Sequence, residues 1–501
     1  MENLLTIIVV ISVWLLFCVA MWRIHIARQR NNISADTSLL ITYASQTGNA
    51  QAIANRYAQA LHLSEMANVV ALNHLSIENL SSVDQVLFIV STYGDGEAPD
   101  NGNLFIKRIQ NAIKNTVKLN HLKFSVIALG DTGYPKFCAF GYQVHQSMLD
   151  IGSEPNNEVI AVDKYNEQTT TLASITPRWL NIQEVNETST KTNSPQYWQL
   201  TERLLLNPDC DDEKLFQLTF TSIGPTPSWQ AGDLIDIQPH QPKAVVNQWL
   251  QAHQYDGTQL LTYQGHQQSL SAWLAMRELP NNCTYSINEL LDNLPTLTTR
   301  SYSIASISEQ GQLQLIVRLL EKEENSFGLA SGYLSNNCSV GAIVQGQIRS
   351  VSTHHQIDNT VPLILIGAGS GLAGLKAQID ARAYFKTKLN KPTGPTWLIF
   401  GERNSHSQLP INKYLLTLEE SNLAKLSCAY SQDSKQAKYV QHILADEEAM
   451  LKQWLSEGAV IYICGCLSGM GESVHNTLIE LLGQEKLTEL QCQQRYIRDV
   501  Y

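Results

Sequence analysis

Apolar and polar positions change rhythm several times along the chain. Leu4 to Trp22 is an apolar run of about nineteen residues, interrupted only by Thr6 and Ser12, which is enough to cross a bilayer as a helix. Arg23, His25, Arg28 and Arg30 follow it, whereas Glu2 is the only charged side chain before it. The positive-inside rule therefore predicts a membrane anchor with a basic juxtamembrane segment over 1–30, and everything beyond it cytoplasmic. No basic leading region or small-x-small cleavage site supports a cleaved signal peptide. From Ser38 to Ile182, apolar runs at Leu39–Tyr43, Val69–Leu72, Val86–Val90, Phe124–Ala128 and Val159–Val162 alternate with helix-like stretches. Short buried strands joined by crossover helices predict a doubly wound parallel sheet over 38–182.

Residues 183–196 are polar and aperiodic and contain Pro195 near their end, so they read as a flexible linker. From Tyr197 the period becomes two, at Lys214–Thr221, Gly232–Gln238, Thr299–Ala305, Gln312–Leu319 and Gly341–Ile348. This predicts an antiparallel barrel over 197–355, with an insertion at 239–298 that contains the helix-like Leu270–Arg277. Val361–Ile366, Thr396–Phe400 and Ala459–Ile463 then return to unalternated runs, predicting a second α/β sheet over 360–501.

A length of 501 residues suits about three domains. An apolar fraction of 44% with 16% charged residues reads as globular, and the formal charge of −11 argues against nucleic acid and for a basic partner. The nine cysteines include no Cys-x-x-Cys, so neither a metal site nor a disulfide framework is expected.

Ligands of doubly wound sheets bind at the carboxyl ends of the strands. There the first sheet has Ser45-Gln46-Thr47-Gly48-Asn49-Ala50, a hydroxyl- and amide-rich helix entry suited to a phosphate held without lysine. It also has the Ser91–Asn101 loop with Tyr93, and the Gly130–Cys138 loop with Tyr134. On the barrel, Arg300-Ser301-Tyr302-Ser303 alternates a cation, an aromatic and hydroxyls, able to offer charge to a phosphate and a ring to a flavin. Phe327–Leu334 looks like a glycine-opened helix start. Gly367-Ala368-Gly369-Ser370-Gly371, between a strand and a helix, suits a pyrophosphate. Glu402 can bind a ribose diol and Arg403 a 2′-phosphate, so the chemistry alone leaves NADH and NADPH open. Cys464 sits at a strand's carboxyl end, and the chain reaches Arg498-Asp499-Val500-Tyr501 where a frayed tail is the ordinary expectation.

Residues 38–182 resemble the flavodoxin-like FMN domains of the diflavin reductases. Residues 197–501 resemble the ferredoxin–NADP reductase-like half of NADPH–cytochrome P450 reductase and of the sulfite reductase flavoprotein, the tail being nearest the latter. The resemblance implies that Ser45, Gln46, Thr47, Gly48, Asn49 and Ala50 cradle the FMN phosphate. Ser91 and Thr92 lead into the loop whose Tyr93, with Tyr134, flanks the isoalloxazine, while Gly94, Gly130, Asp131 and Cys138 line its edge. It implies an FAD site of Arg300, Ser301, Tyr302, Ser303, Gly328, Ser331 and Tyr501. In that site Arg300 and Ser331 meet the pyrophosphate, Tyr302 stacks on the ring and Tyr501 covers the face that nicotinamide must reach. Gly367, Gly369, Ser370, Gly371, Arg403, Ser431, Lys438, Tyr439 and Gln441 fall in the implied NADPH site. Ser303, Cys464, Asp499 and Tyr501 are the implied catalytic set. This chain departs from the family's pattern with Gly374 for a proline, Gln432 for an arginine, a lysine displaced by one position near Tyr439 and Cys466 for an acidic residue.

The expected protein is thus an NADPH-, FAD- and FMN-dependent reductase, anchored in the inner membrane by one helix. It hands electrons singly to a haem or other membrane redox protein. A sulfite reductase flavoprotein subunit, a ferric or ferric-siderophore reductase, and a docking module with a decayed hydride site are the alternatives.

Overall fold

The computed structural model describes residues 39–45, 49–61, 69–92, 96, 98–99, 102–130, 132, 136–163, 172–180, 196–208, 214–263, 265–322, 326–350, 356–405, 410–421, 423–432 and 438–501. The chain divides into two compact units, Met1–Thr190 and Lys191–Tyr501, with the boundary inside the expected linker.

In the first unit, β1 (Leu39–Ala44), β2 (Val69–Ala71), β3 (Gln85–Ser91) and β4 (Lys123–Gly130) are joined by β5 (Glu154–Pro155) and β6 (Ile160–Asp163) in one parallel sheet. Its order is β2-β1-β3-β4-β5. β5 pairs with the start of β4 and β6 with its end, so the two share that edge. Successive side chains of a strand point to opposite faces, and both faces are apolar. Leu40, Phe88 and Val90 pack under helices Asn103–Lys114 and Ala139–Asp150. Ile41, Leu87 and Ile89 pack under helix Asn49–Ala60 through Ile53 and Tyr57. That two-sided burial is why these strands read as largely apolar runs without strict alternation, Thr42 and Ser125 being buried with the rest.

The second unit begins with β7 (Tyr197–Leu205), β8 (Leu215–Ile223) and β9 (Leu234–Ile237). An inserted hairpin of β10 (Leu260–Tyr263) and β11 (His266–Ser269) follows, and then β12 (Arg300–Ser303), β13 (Leu313–Arg318) and β14 (Ile343–Arg349). The antiparallel order is β12-β9-β14-β7-β8-β13, and an Ile304–Leu315 bridge joins its two ends into a barrel. Trp198 and Trp229 meet edge to face in its core, with ring centroids 6.0 Å apart. The insertion, which includes helix Lys243–Ala252, has a small core of its own around Val246, Leu250, Leu270 and Leu290.

The parallel sheet that follows comprises β15 (Leu363–Ala368), β16 (Thr396–Glu402), β17 (Lys425–Tyr430), β18 (Val460–Gly465) and β19 (Tyr496–Val500), in the order β17-β16-β15-β18-β19. Leu206, Leu215 and Ile316 of the barrel share one hydrophobic cluster with Leu363, Leu365 and Leu398 of this sheet, so the two halves form one unit. The tail is therefore an edge strand, not a frayed end.

The membrane helix expected over Leu4–Trp22 lies outside the described residues, and the fold class and localisation built on it are corrected here. Among the described residues no helix is long and apolar enough to cross a membrane. A span needs about twenty apolar residues, whereas the 16-residue helix Leu372–Thr387 carries Lys376, Asp380, Arg382 and Lys386. The architecture that stands is a flavodoxin-like domain followed by a barrel and an NADP-type sheet. Neither the inner-membrane location nor the bilayer as a partner is retained.

Candidate active site

β15 ends in the glycine loop, and the loop is glycine-rich because backbone fills the space where side chains would go. A Cβ on Gly367 would lie 2.5 Å from the Cys464 carbonyl oxygen, and one on Gly371 would lie 2.0 Å from it. Gly369 has φ +55°, and a Cβ there would come within 2.2 Å of the Arg318 guanidinium. The loop opens helix Leu372–Thr387, whose N-terminal N–H groups favour an anion. In front of it is a cavity of about 430 Å³ whose walls include Arg318, Gly369, Glu402, Arg403, Ser431 and Lys438. Tyr439 and Gln441 complete the same wall. Two arginines, a lysine and a serine around a glycine loop fit a phosphorylated dinucleotide. Turn bonds hold this wall together: Arg403 N–H donates to Glu402 Oε1 at 2.8 Å, and Ser431 N–H donates to the Glu402 carbonyl at 3.0 Å. Lys438 also pairs with Asp446 at 2.9 Å. Arg318 ends the apolar strand β13, and no motif in the sequence signals it as part of this wall.

β18 and β19 are in parallel register, with Cys464 opposite Asp499. β12 brings Ser303 to the same point from the barrel. Ser303 Oγ donates to Asp499 Oδ2 at 2.8 Å, and the Cys464 thiol donates to the same oxygen at 3.4 Å. Burial, and after it the Asp499 charge, push the Cys464 thiol well up, so it is held as a neutral donor. Beside this cluster Tyr501 donates its hydroxyl to Ser370 Oγ at 2.8 Å, although the residue is 56% exposed. An aromatic tethered at its tip and open over the rest suits a flat ligand ring.

Other implied flavin contacts lie further out. Ser301 donates to Asp236 and accepts from Arg349 at 2.8 Å, inside an Asp236–Arg349 ion pair. The exposed Arg300 folds back on the carbonyls of Thr298 and Thr299. Tyr302 is half-buried against the barrel core, and burial raises its phenol. Ser331 accepts the Leu320 N–H at 3.2 Å beside Gly328, whose own N–H goes to the Leu320 carbonyl.

In the first unit, Ala50 N–H donates to Ser45 Oγ at 3.3 Å, shaping the entry to helix Asn49–Ala60. Thr92 N–H reaches the Leu129 carbonyl, and Thr92 Oγ1 accepts from Phe140 N–H, so the residue that follows β3 is tied to the end of β4 and to the start of helix Ala139–Asp150. Ser91 ends β3, and Gly130 ends β4 under Cys138. Cys138 turns its thiol into the core and donates to the Ala128 carbonyl. The strand order reverses between β1 and β3, where a ligand crevice belongs. Gln46, Thr47, Gly48, Tyr93, Gly94, Asp131 and Tyr134 lie outside the described residues.

A flavodoxin family model matches residues 41–176, and an oxidoreductase NAD-binding domain model matches 365–476. The sulfite reductase (NADPH) flavoprotein alpha-component of Vibrio cholerae is 27% identical over 95% of this chain and 90% of its own length. Those of Shewanella oneidensis (26%, covering 95% and 92%) and Bacillus subtilis (24%, covering 92% and 89%) align equally fully. Together these matches support the diflavin reductase family for this chain. This diflavin reductase is an NADPH-dependent oxidoreductase whose cofactors are FAD and FMN. The NAD-binding model spans the glycine loop and most of the cavity wall beside it, and the flavodoxin model spans most of the sheet of the first unit.

Proposed function

We propose that this diflavin reductase supplies electrons one at a time to a separate haem protein, and that Ser303, Cys464 and Asp499 form the point where the hydride of NADPH is received. When bound, NADPH and the two flavins supply the redox chemistry itself, two electrons in and single electrons out. The chain's own residues position and balance charge. Arg318, Arg403 and Ser431 hold phosphate, with Lys438, Tyr439 and Gln441 beside them. Ser303 and Cys464, which both donate to Asp499, would line the edge of a bound ring, and the Asp499 carboxylate would balance positive charge on a bound nicotinamide. Tyr501 must leave Ser370 to let the nicotinamide in, a gating motion of the kind that limits many turnovers.

The observation that carries the reading is the convergence of Ser303 and Cys464 on Asp499 Oδ2 beside the exposed Tyr501. The haem acceptor is supported by the full-length likeness to flavoprotein alpha-components of sulfite reductase. The test is anaerobic stopped-flow reduction by NADPH, then mixing with a sulfite reductase haemoprotein subunit. Ser303→Ala is expected to slow FAD reduction by about tenfold with both flavins retained. Loss of both flavins in that variant would make Ser303 structural. Reduction of cytochrome c without reduction of the haemoprotein would redirect the search for the acceptor.

A further inference from the structure

Tyr462 is buried in the middle of β18, with its ring among the apolar residues of the NADP-type sheet. Its hydroxyl nevertheless donates to Asp499 Oδ2 at 2.9 Å, the oxygen that also accepts from Ser303 and Cys464. Residues two apart on a strand share a face, so Tyr462 lies on the same side of β18 as Cys464 and meets Asp499 diagonally across the β18–β19 register. Three donors on one carboxylate oxygen leave it little rotational freedom. Ser303 comes from the barrel and Cys464 from the position opposite, whereas Tyr462 comes from within the sheet. Burial, followed by the charge of Asp499, raises the phenol well above its usual range, so it remains a donor.

Room for that hydroxyl comes from a missing side chain. A Cβ on Gly374 would lie 2.7 Å from the Tyr462 hydroxyl, 2.8 Å from Cys464 Sγ and 3.1 Å from Asp499 Oδ2. Gly374 lies in the first turn of helix Leu372–Thr387 and has no left-handed backbone to require glycine. Alanine would ordinarily be the better helix former there by about 1 kcal/mol.

We propose that Tyr462 is a positioning residue that aims Asp499 at Ser303 and Cys464, and that Gly374 is the clearance through which it does so. The inference rests on the reading of Ser303, Cys464 and Asp499 as the hydride-receiving point. Tyr462 touches none of the reacting atoms and acts through the carboxylate.

The test uses the full chain with both flavins in place. Tyr462→Phe is expected to slow FAD reduction at saturating NADPH by about fivefold, with KM for NADPH and FAD content unchanged. The contact itself is read without turnover, by thermal melting of four proteins: wild type, Gly374→Ala, Tyr462→Phe and the double variant. Gly374→Ala is expected to lower the midpoint by about 4 °C in the wild-type background and by less in the Tyr462→Phe background, where the contact with Cys464 Sγ remains but that with the hydroxyl is gone, the non-additivity expected of neighbouring groups. Equal losses in both backgrounds would overturn the clearance. An unchanged reduction rate in Tyr462→Phe, or a slower one accompanied by FAD loss or a raised KM, would overturn the positioning role. Ser303→Ala separates the two levels. If it slows FAD reduction and Tyr462→Phe does not, only the present inference fails. If Ser303→Ala has no effect, the reading of the site fails and the role of Tyr462 with it.

Discussion

The sheet of 39–163 and the sheet of 363–500 are both parallel and both reverse their strand order once, yet they deliver chemistry to the ligand edge differently. In the first, the polar groups sit on loops beyond the strands and are tied to neighbouring elements, as Thr92 is to Phe140 of helix Ala139–Asp150 and Thr132 to Asp163 at the end of β6. In the second, the decisive groups sit within strands. Cys464 and Tyr462 belong to β18, Asp499 to β19 and Ser303 to the barrel strand β12, all meeting on one oxygen. Loop-borne groups can be altered one at a time. Strand-borne groups sharing an acceptor are interlocked, and removing one disturbs the geometry of the others.

The comparison breaks most forcefully at Asp499. Asp499→Asn keeps the shape but puts an amide in place of the shared acceptor, and NADPH-driven FAD reduction is expected to fall by about a hundredfold in stopped flow. FMN content should not change. A fall no larger than that of Ser303→Ala would mean the groups act independently. Next in size is the cavity wall. Arg403→Ala is expected to raise KM for NADPH by about tenfold, as loss of a charge-assisted phosphate contact does, while KM for NADH stays put. An equal rise for both would place Arg403 at the shared pyrophosphate. The smallest effect belongs to the first sheet. Burial pushes the Cys138 thiol from 9.0 up to about 11, so the folded state favours the protonated form. That contribution is complete below pH 9 and is lost as pH rises through about 11. The wild-type melting midpoint should therefore drop more steeply between those pH values than that of Cys138→Ala, and parallel curves would contradict it.

Much of this was legible in the sequence where burial is two-sided. β1, β3, β4 and β15 are largely apolar, with Thr42 and Ser125 the interior exceptions in β1 and β4, and the glycine loop stands between such a run and a helix. What escaped were strands whose burial is mixed. β7 interrupts its apolar residues with Thr201, Glu202 and Arg203, and β17 is only partly covered along most of its length. β19 places Arg498 and Asp499 mid-strand, which reads as a polar tail until the buried Arg498 and the register with β18 are seen. Tyr462 was hidden for the opposite reason. Within Val460–Gly465 it looks like one more apolar residue, and only the fold shows that its hydroxyl points at a carboxylate. The insertion at 239–298 is legible only as a helix-like patch, because its core depends on contacts distant in sequence.

The β18–β19 pairing also sets how the site can go wrong. Asp499 faces Cys464 because of a hydrogen-bond ladder, and a ladder moves only in whole residues. A slip by one would put Arg498 or Val500 opposite Cys464 and turn their side chains to the other face. A slip by two would carry the carboxylate about 6.6 Å along the strand. No intermediate setting exists in which Asp499 is slightly misplaced. Damage to this edge should therefore divide molecules into competent and dead populations rather than produce uniformly sluggish ones, and the fraction of molecules reduced in a single turnover would count the intact ladders.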